Sequence, residues 1–335
     1  MSTVLVTGGS GFIGGHVVLA ALNAGHTVRT TVRSKSKEAA VRASLKAAGA
    51  DESRLTFFEA ELESDAGWAE AMAGCDFVLH VASPMPKGEP KNPDEVLVPA
   101  KEGVLRALRF ARDAKVKRVV LTSSCGAVYY GHPEQEAAFD ETSWTNTDGE
   151  MSTYVRSKAL AERAAWDFMK REGGALELSV INPAGVFGPA LNKDAMSSLG
   201  LIQRLLGGMP GAPMLYFSVV DVRDVAELHL LAMTSPAAKG ERFIAATDGV
   251  MSMLDVANTL RAKLGERAAK VPKKALPNWL VRVIGVFNPQ IRGLLPLLNV
   301  KRRATSAKAQ RVLGWKPRAP EEVIAATGES VLRFT

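Results

Sequence analysis

Apolar residues in this chain fall into short unbroken runs separated by stretches of helical spacing. Thr3 to Thr7 is β-branched or aliphatic throughout, which predicts a strand buried on both faces. Similar runs recur at Thr27 to Val32, Leu55 to Glu59, Asp76 to Val81, Val119 to Thr122 and Leu176 to Asn182. Helical stretches alternate with them. One runs through Val17, Val18, Leu19, Ala21 and Leu22 and is closed by Gly25. An alanine-rich helix is expected over 39–48, a short one over 65–73 with Ser64 as its cap, and a long one over 94–113 capped by Asp94. Five strand–helix units followed by a sixth strand predict an α/β fold, a doubly wound parallel sheet. After Pro183 the pattern loosens into short helices near 197–206, 225–234 and 253–264, with brief strands near 216–220 and 242–246. Two domains are expected: a sheet domain over 1–183 and a smaller, mostly helical C-terminal substrate lobe over 184–335. The strand near 215–220 is the candidate to rejoin the main sheet. No internal repeat or low-complexity stretch is visible.

Composition narrows the class. At 335 residues, with 47% hydrophobic and 23% charged residues, the chain can bury two cores and is not compositionally disordered. Cys75 and Cys125 are its only cysteines, so no disulfide framework is implied and a reducing cytoplasm is the simplest compartment. No run of about 18 uncharged apolar residues exists, and the N-terminal residues lack signal-peptide order, so no membrane partner is expected. The net charge of +7 raises nucleic-acid binding. The basic residues are scattered, however, with one tight cluster at Lys301-Arg302-Arg303, and aromatics do not interleave with them. Surface charge plus a pocket for an anionic cofactor accounts for the balance, and no nucleic-acid partner is expected.

The first strand runs directly into Gly8-Gly9-Ser10-Gly11-Phe12-Ile13-Gly14, and a helix follows. Gly8, Gly11 and Gly14 fit one spacing, and Gly9, Gly11 and Gly14 a second. Either lets backbone approach a pyrophosphate whose charge the helix N-terminus meets. At the end of the second strand, an acid would hold the ribose 2′-hydroxyl of NAD. Arg33 stands there instead, with Lys35 and Lys37 close behind, which suits the 2′-phosphate of NADP; a solvated loop is the plainer alternative. Glu61 and Leu62 follow the third strand, where a side chain reaches an adenine. Val81, Ala82 and Ser83 end the fourth strand with small residues across which a cofactor lies flat.

Thr122-Ser123-Ser124 closes the fifth strand, at the sheet edge where α/β folds bind ligands. A serine there is placed to donate to a substrate oxygen, or to serve its own loop. Tyr154 and Lys158, four apart on a helix, share one face. A cation beside a phenol lowers its pKa toward the range of neutral-pH proton transfer. The histidines show no metal spacing and no Gly-x-Ser-x-Gly elbow is present, so neither a metal site nor a serine hydrolase is expected.

With Val6 to Gly14, Thr122-Ser123-Ser124 and Tyr154-x-x-x-Lys158 in place, the chain resembles the extended short-chain dehydrogenase/reductases. Within them it is similar to the dihydroflavonol and cinnamoyl-CoA reductases and related microbial carbonyl reductases. Gly74 to Pro84, Val28 to Arg33, Asn182-Pro183 with Val186 to Pro189, Val220 to Ala226 and Leu313 to Pro317 carry the same likeness. The resemblance implies a Rossmann-type sheet, NADP(H) as cofactor and a small-molecule carbonyl substrate, in a monomer or homodimer. It implies that Ser124 and Tyr154 bind the carbonyl, that Tyr154 gives the proton, and that Lys158 holds the nicotinamide ribose and lowers the tyrosine pKa. It adds Pro183 and Val186 to the cofactor site, and Pro84, Met85, Cys125 and Tyr129 as substrate candidates. Glu61 departs from the family's aspartate near the adenine. Two rivals stay open: a nucleotide-sugar epimerase or dehydratase on the same scaffold, and a non-enzymatic dinucleotide sensor.

Overall fold

A computed structural model describes residues 1–85 and 88–335. Its centre is a seven-stranded parallel sheet. The strands β1 (Thr3–Thr7), β2 (Thr27–Val32), β3 (Leu55–Glu59), β4 (Phe77–His80), β5 (Arg118–Thr122) and β6 (Glu177–Pro183) lie in the order β6-β5-β4-β1-β2-β3, and Arg242–Ala245 extends the β6 edge. Alternation along the strands divides the core. Val4, Val6, Val120 and Ile181 face one layer, against Val17, Val18 and Ala21 of α1 (Phe12–Asn23). Leu5, Val119, Leu121 and Val180 face the other, against Ala107 and Leu108 of a long helix and Ala161, Ala165 and Phe168 of another. Each fully buried Val or Leu contributes roughly 1.5–3 kcal/mol. Strand order reverses between β1 and β4, and the crevice at their carboxyl ends is where such sheets take ligands.

The remaining sheet-domain helices are α2 (Glu38–Ala47), α3 (Trp68–Met72), α4 (Asp94–Asp113) and α5 (Thr153–Glu172). Two expected caps differ. Asp94 is the first helical residue of α4 behind Pro93, and Ser64 accepts from Ala66 N rather than capping α3, which starts after Gly67 in a left-handed conformation. Beyond β6 come α6 (Gly200–Gly208), α7 (Val222–Thr234), α8 (Met253–Leu264), α9 (Asn278–Phe287) and a final helix Pro320–Phe334. A reciprocal Ser252–Asp255 capping box starts α8.

The expected domain boundary at 183 is crossed twice. Arg242–Ala245 is the strand that rejoins the main sheet, whereas Tyr216–Phe217 and Val219–Asp221 pair in separate two-stranded units with Met251–Ser252 and Gly185–Phe187. Helix α7 likewise packs on the sheet domain through Val225, Ala226 and Leu228. Both segments are apolar enough to fill an open sheet edge and a bare sheet face, and that opportunity exists only once the first six strands are assembled. The other core joins α6, α8 and the final helix around Leu199, Ile202, Val256, Leu260 and Val323.

Candidate active site

The turn from β1 to α1 is built by close approach. Gly8 has φ +73°, and a Cβ on Gly14 would stand 2.1 Å from Gly8 O. Gly8 N donates to Thr31 Oγ1 at 3.1 Å, and Gly11 N to Gly8 O at 2.9 Å. Helix α1 has no side-chain cap and no acid in its first turn, so its N–H groups and positive end face outward. This cradle fits a dinucleotide pyrophosphate, with Phe12 and Ile13 opening the helix behind it. Arg33 is exposed just past β2. Lys37 Nζ lies 2.7 Å from Asp194 across an exposed pair, a contact weak enough to exchange for a phosphate. Glu61 is exposed, and its carbonyl accepts from Trp68 Nε1 at 2.8 Å.

Thr7 fixes the floor. Its Oγ1 accepts from Val81 N and Ala82 N, both at 3.0 Å, and lies 3.0 Å from His80 Nδ1. With both lone pairs used, the Thr7 hydroxyl donates to Nδ1, which assigns the His80 proton to Nε2. Burial, with Lys158 nearby, pulls the His80 pKa down to about 3, so the ring is neutral. Ala82 Cα would be 3.1 Å from a Cβ on Gly8, which seats the end of β4 directly against the glycine turn. Leu62, Ala82, Ser83, Pro84, Ser123 and Lys158 line one narrow cleft here.

Helix α5 carries the reactive face. Ser152 Oγ accepts from Val155 N at 3.3 Å and starts the helix one residue before Tyr154. Lys158 Nζ lies 5.9 Å from the Tyr154 ring centroid. Ser124 accepts from Gly126 N at 2.9 Å, and that tight turn packs on α5, with a Cβ on Gly126 falling 3.7 Å from Val155 Cα. Burial raises the Tyr154 pKa, the Ser124 hydroxyl offsets part of the rise, and Tyr130 adds to it. The expected lowering of the phenol by Lys158 is therefore absent from the chain on its own. The ammonium stands over the ring at 5.9 Å from its centroid, and desolvation of the buried phenol is the largest influence on it. Lys158 yields instead: burial lowers its pKa to about 8, against an opposing pull from Glu162.

Glu162 was not anticipated. It is 1% exposed, one turn beyond Lys158 on the same helix face. Its Oε2 accepts from Ser123 Oγ at 2.5 Å and Asn182 Nδ2 at 2.7 Å; its Oε1 accepts from Arg242 Nε at 2.5 Å. Asn182 Nδ2 also reaches Ser124 O at 3.2 Å, and the Arg242 guanidinium stacks 3.8 Å from the Trp144 ring centroid. One carboxylate thus ties the fifth strand's serines to α5, β6 and the returning strand. The i, i+4, i+8 series Tyr154, Lys158, Glu162 is the signal that could have found it. Nothing local points to Arg242.

The substrate candidates separate. Pro84 lines the cleft, and Met85 is 70% exposed beside it. Cys125 faces inward: its Sγ donates to Asn182 O at 3.4 Å inside a buried cluster, and burial pushes the thiol pKa up. Tyr129 is buried in that cluster, with its ring 5.1 Å from that of Tyr130. Tyr130 in turn carries the Arg302 guanidinium 4.9 Å from its ring centroid. Pro183 is buried as the last residue of β6, and Val186 is half-buried just beyond it. A larger cavity of about 580 Å³, lined by Tyr216, Asp248, Asp255, Lys301 and Arg303 among others, holds none of Ser124, Tyr154 or Lys158.

Comparison with known proteins identifies the family and the fold. Residues 4–246 match the NAD dependent epimerase/dehydratase family. The chain is 39% identical to cinnamoyl-CoA reductase CAD2 of Medicago truncatula over 71% of its own length and 74% of that protein's. It is 34% identical to the ketoreductase azaE of Aspergillus niger over 87% of its length and 91% of that chain. Yeast methylglyoxal/isovaleraldehyde reductase Gre2, solved in complex with NADPH, superposes with a TM-score of 0.82 at 26% identity, covering 99% of this chain and 98% of that one. Sequence match, sheet order and the convergence of glycine cradle, Ser124, Tyr154 and Lys158 lead to one conclusion: the chain belongs to the NAD dependent epimerase/dehydratase family, within the extended short-chain dehydrogenase/reductases.

Proposed function

We propose that the protein reduces an aldehyde or ketone to the alcohol, reversibly, with NADPH. The observation that carries this reading is Ser124, Tyr154 and Lys158 meeting at the carboxyl end of β5, beside the cradle between β1 and α1. Relatives named as cinnamoyl-CoA reductase and ketoreductase, and a neighbour complexed with NADPH, support it. Ser124 and Tyr154 donate hydrogen bonds to the carbonyl oxygen and polarise it. Tyr154, kept protonated by its buried setting, gives that oxygen its proton. Lys158 holds the ribose hydroxyls and favours the tyrosinate left behind, and the Glu162 network keeps Ser124 and the helix in register. Arg33 and Lys37 meet the 2′-phosphate. Bound in the cradle, the dinucleotide supplies the hydride.

Buried, unpaired Cys75 and Cys125 suit a reducing compartment, and we infer cytoplasmic residence. A sugar dehydratase is less well served, because Ser123 and Ser124, with no acid, follow Thr122, and Ser123 is committed to Glu162. The test is a panel of aldehydes and ketones with NADPH and with NADH, followed by nicotinamide absorbance. Carbonyl-dependent NADPH oxidation is expected. No turnover across the panel, with a nicotinamide retained through purification, would favour the epimerase. No turnover and no retained nicotinamide would favour a sensor.

A further inference from the structure

Helix α9 buries one side and leaves the other bare. Val281 and Gly285 are buried, and Leu280 and Ile284 pack on the core of the second lobe. Opposite them, Trp279, Val283, Val286 and Phe287 are 66%, 49%, 62% and 83% exposed. At 100° per residue these four positions and Arg282 share an arc of about 140°.

Charge supplies an independent observation. From Arg267 to Pro320 the chain has thirteen lysines and arginines and no aspartate or glutamate. The whole chain carries +7, so the remaining residues sum to −6. Arg267 pairs with Glu329 at the surface, and Lys308 and Arg318 pair with Glu241 and Asp224 in partly buried settings. Around α9 the cations stay at the surface. Lys273 and Lys274 are exposed just ahead of the helix, and Arg282 is exposed within the apolar arc. Arg292 donates to Val286 O at 2.7 Å and Gly285 O at 3.1 Å, which holds its charge at the helix C-terminus beside Phe287.

These features select the occupant. A second copy would set two acid-free basic segments against each other. Nucleic acid would answer the charge and leave two valines and a phenylalanine in water. An anionic bilayer answers both, taking the aromatic and aliphatic arc into the headgroup–acyl boundary while the basic rim stays at phosphate level. We propose that α9 docks the protein peripherally on an anionic lipid bilayer, lying in the membrane plane. No helix among the described residues is long and apolar enough to cross a membrane, and none is needed. The expectation of no membrane partner weighed a spanning segment and a signal peptide, and an interfacial helix is read from its exposed face instead.

The test is co-sedimentation of the full chain with phosphatidylcholine vesicles, with and without phosphatidylglycerol. Anionic vesicles should bind it, added salt should weaken binding, and Trp279 emission should shift to the blue. The double variant Trp279→Ser/Phe287→Ser should lose at least about tenfold in vesicle affinity, equivalent to about 1.4 kcal/mol. Lys273→Glu/Lys274→Glu should lose the preference for anionic lipid. Neither pair touches the reaction site, so turnover of a water-soluble carbonyl should stay unchanged, which separates this proposal from the assigned chemistry. The proposal is overturned by no binding to anionic vesicles at low salt, or by equal binding of the Trp279/Phe287 variant. It is equally overturned if the wild type is a dimer that this variant dissolves, or if an acidic protein saturates the face and lipid does not.

Discussion

Lys158 sits in the folded chain at a cost that can be measured. Replacing it with methionine keeps the aliphatic stem and removes the charge. Burial takes the ammonium from an ordinary value of 10.5 to about 8, with Glu162 opposing the fall. At about 1.4 kcal/mol per pKa unit, charging Lys158 in the fold costs about 3 kcal/mol more than in the unfolded chain. The sign follows from proton counting. Below about pH 8 both states carry the proton and the full penalty applies. Between about 8 and 10.5 the unfolded chain binds more protons, so wild-type stability rises with pH through this window. Lys158→Met should therefore be about 3 kcal/mol more stable than wild type at neutral pH, and the difference should vanish above 10.5. Urea unfolding of both proteins without nucleotide, followed by tryptophan fluorescence at neutral pH and near pH 10, measures it. The same variant should lose most of its turnover. A variant no more stable than wild type at neutral pH would refute the claim that desolvation dominates this site.

Tyr154→Phe should keep NADPH affinity and lose roughly 10²–10⁴-fold in turnover, the usual scale of positioned proton transfer, as read by nucleotide titration and steady-state assay. Glu162→Gln leaves Arg242 buried with its charge unanswered, so roughly 3–5 kcal/mol of stability should go, visible as a lowered melting temperature. Glu162 also supports the Lys158 charge, so the pH at which turnover declines on the alkaline side should move downward in that variant. Arg33→Asp should reverse cofactor preference, raising KM for NADPH and lowering it for NADH with a much smaller change in turnover, in paired kinetics with the two nucleotides.

Much of the sheet domain is legible in sequence because its signals are local. An unbroken aliphatic run such as Thr3–Thr7 has no solvent face, and a turn in which a Gly14 side chain would strike Gly8 O admits only glycine. Ser124, Tyr154 and Lys158 are legible for a related reason: a strand end and one helical turn fix their spacing whatever surrounds them. The inward setting of Cys125 is not legible in the same way, because it is fixed by the tight turn that follows the strand and by Asn182 on another strand.

Other features were decided by tertiary structure alone. Arg242 reaches Glu162 across 80 positions, and the strand that carries it joins the main sheet only because β6 presents an open edge. The raised pKa of Tyr154 reverses what its spacing from Lys158 suggests, and burial likewise lowers Lys158, because burial is a property of the packed assembly. Helix α9 is apolar on almost every side in sequence, and only the assembled lobe decides that Val281 and Gly285 are buried while Trp279 and Phe287 face outward. Sequence determined the conformations set by neighbours along the chain; the fold decided which surfaces lost water, and with them the charges and contacts that water would otherwise have held.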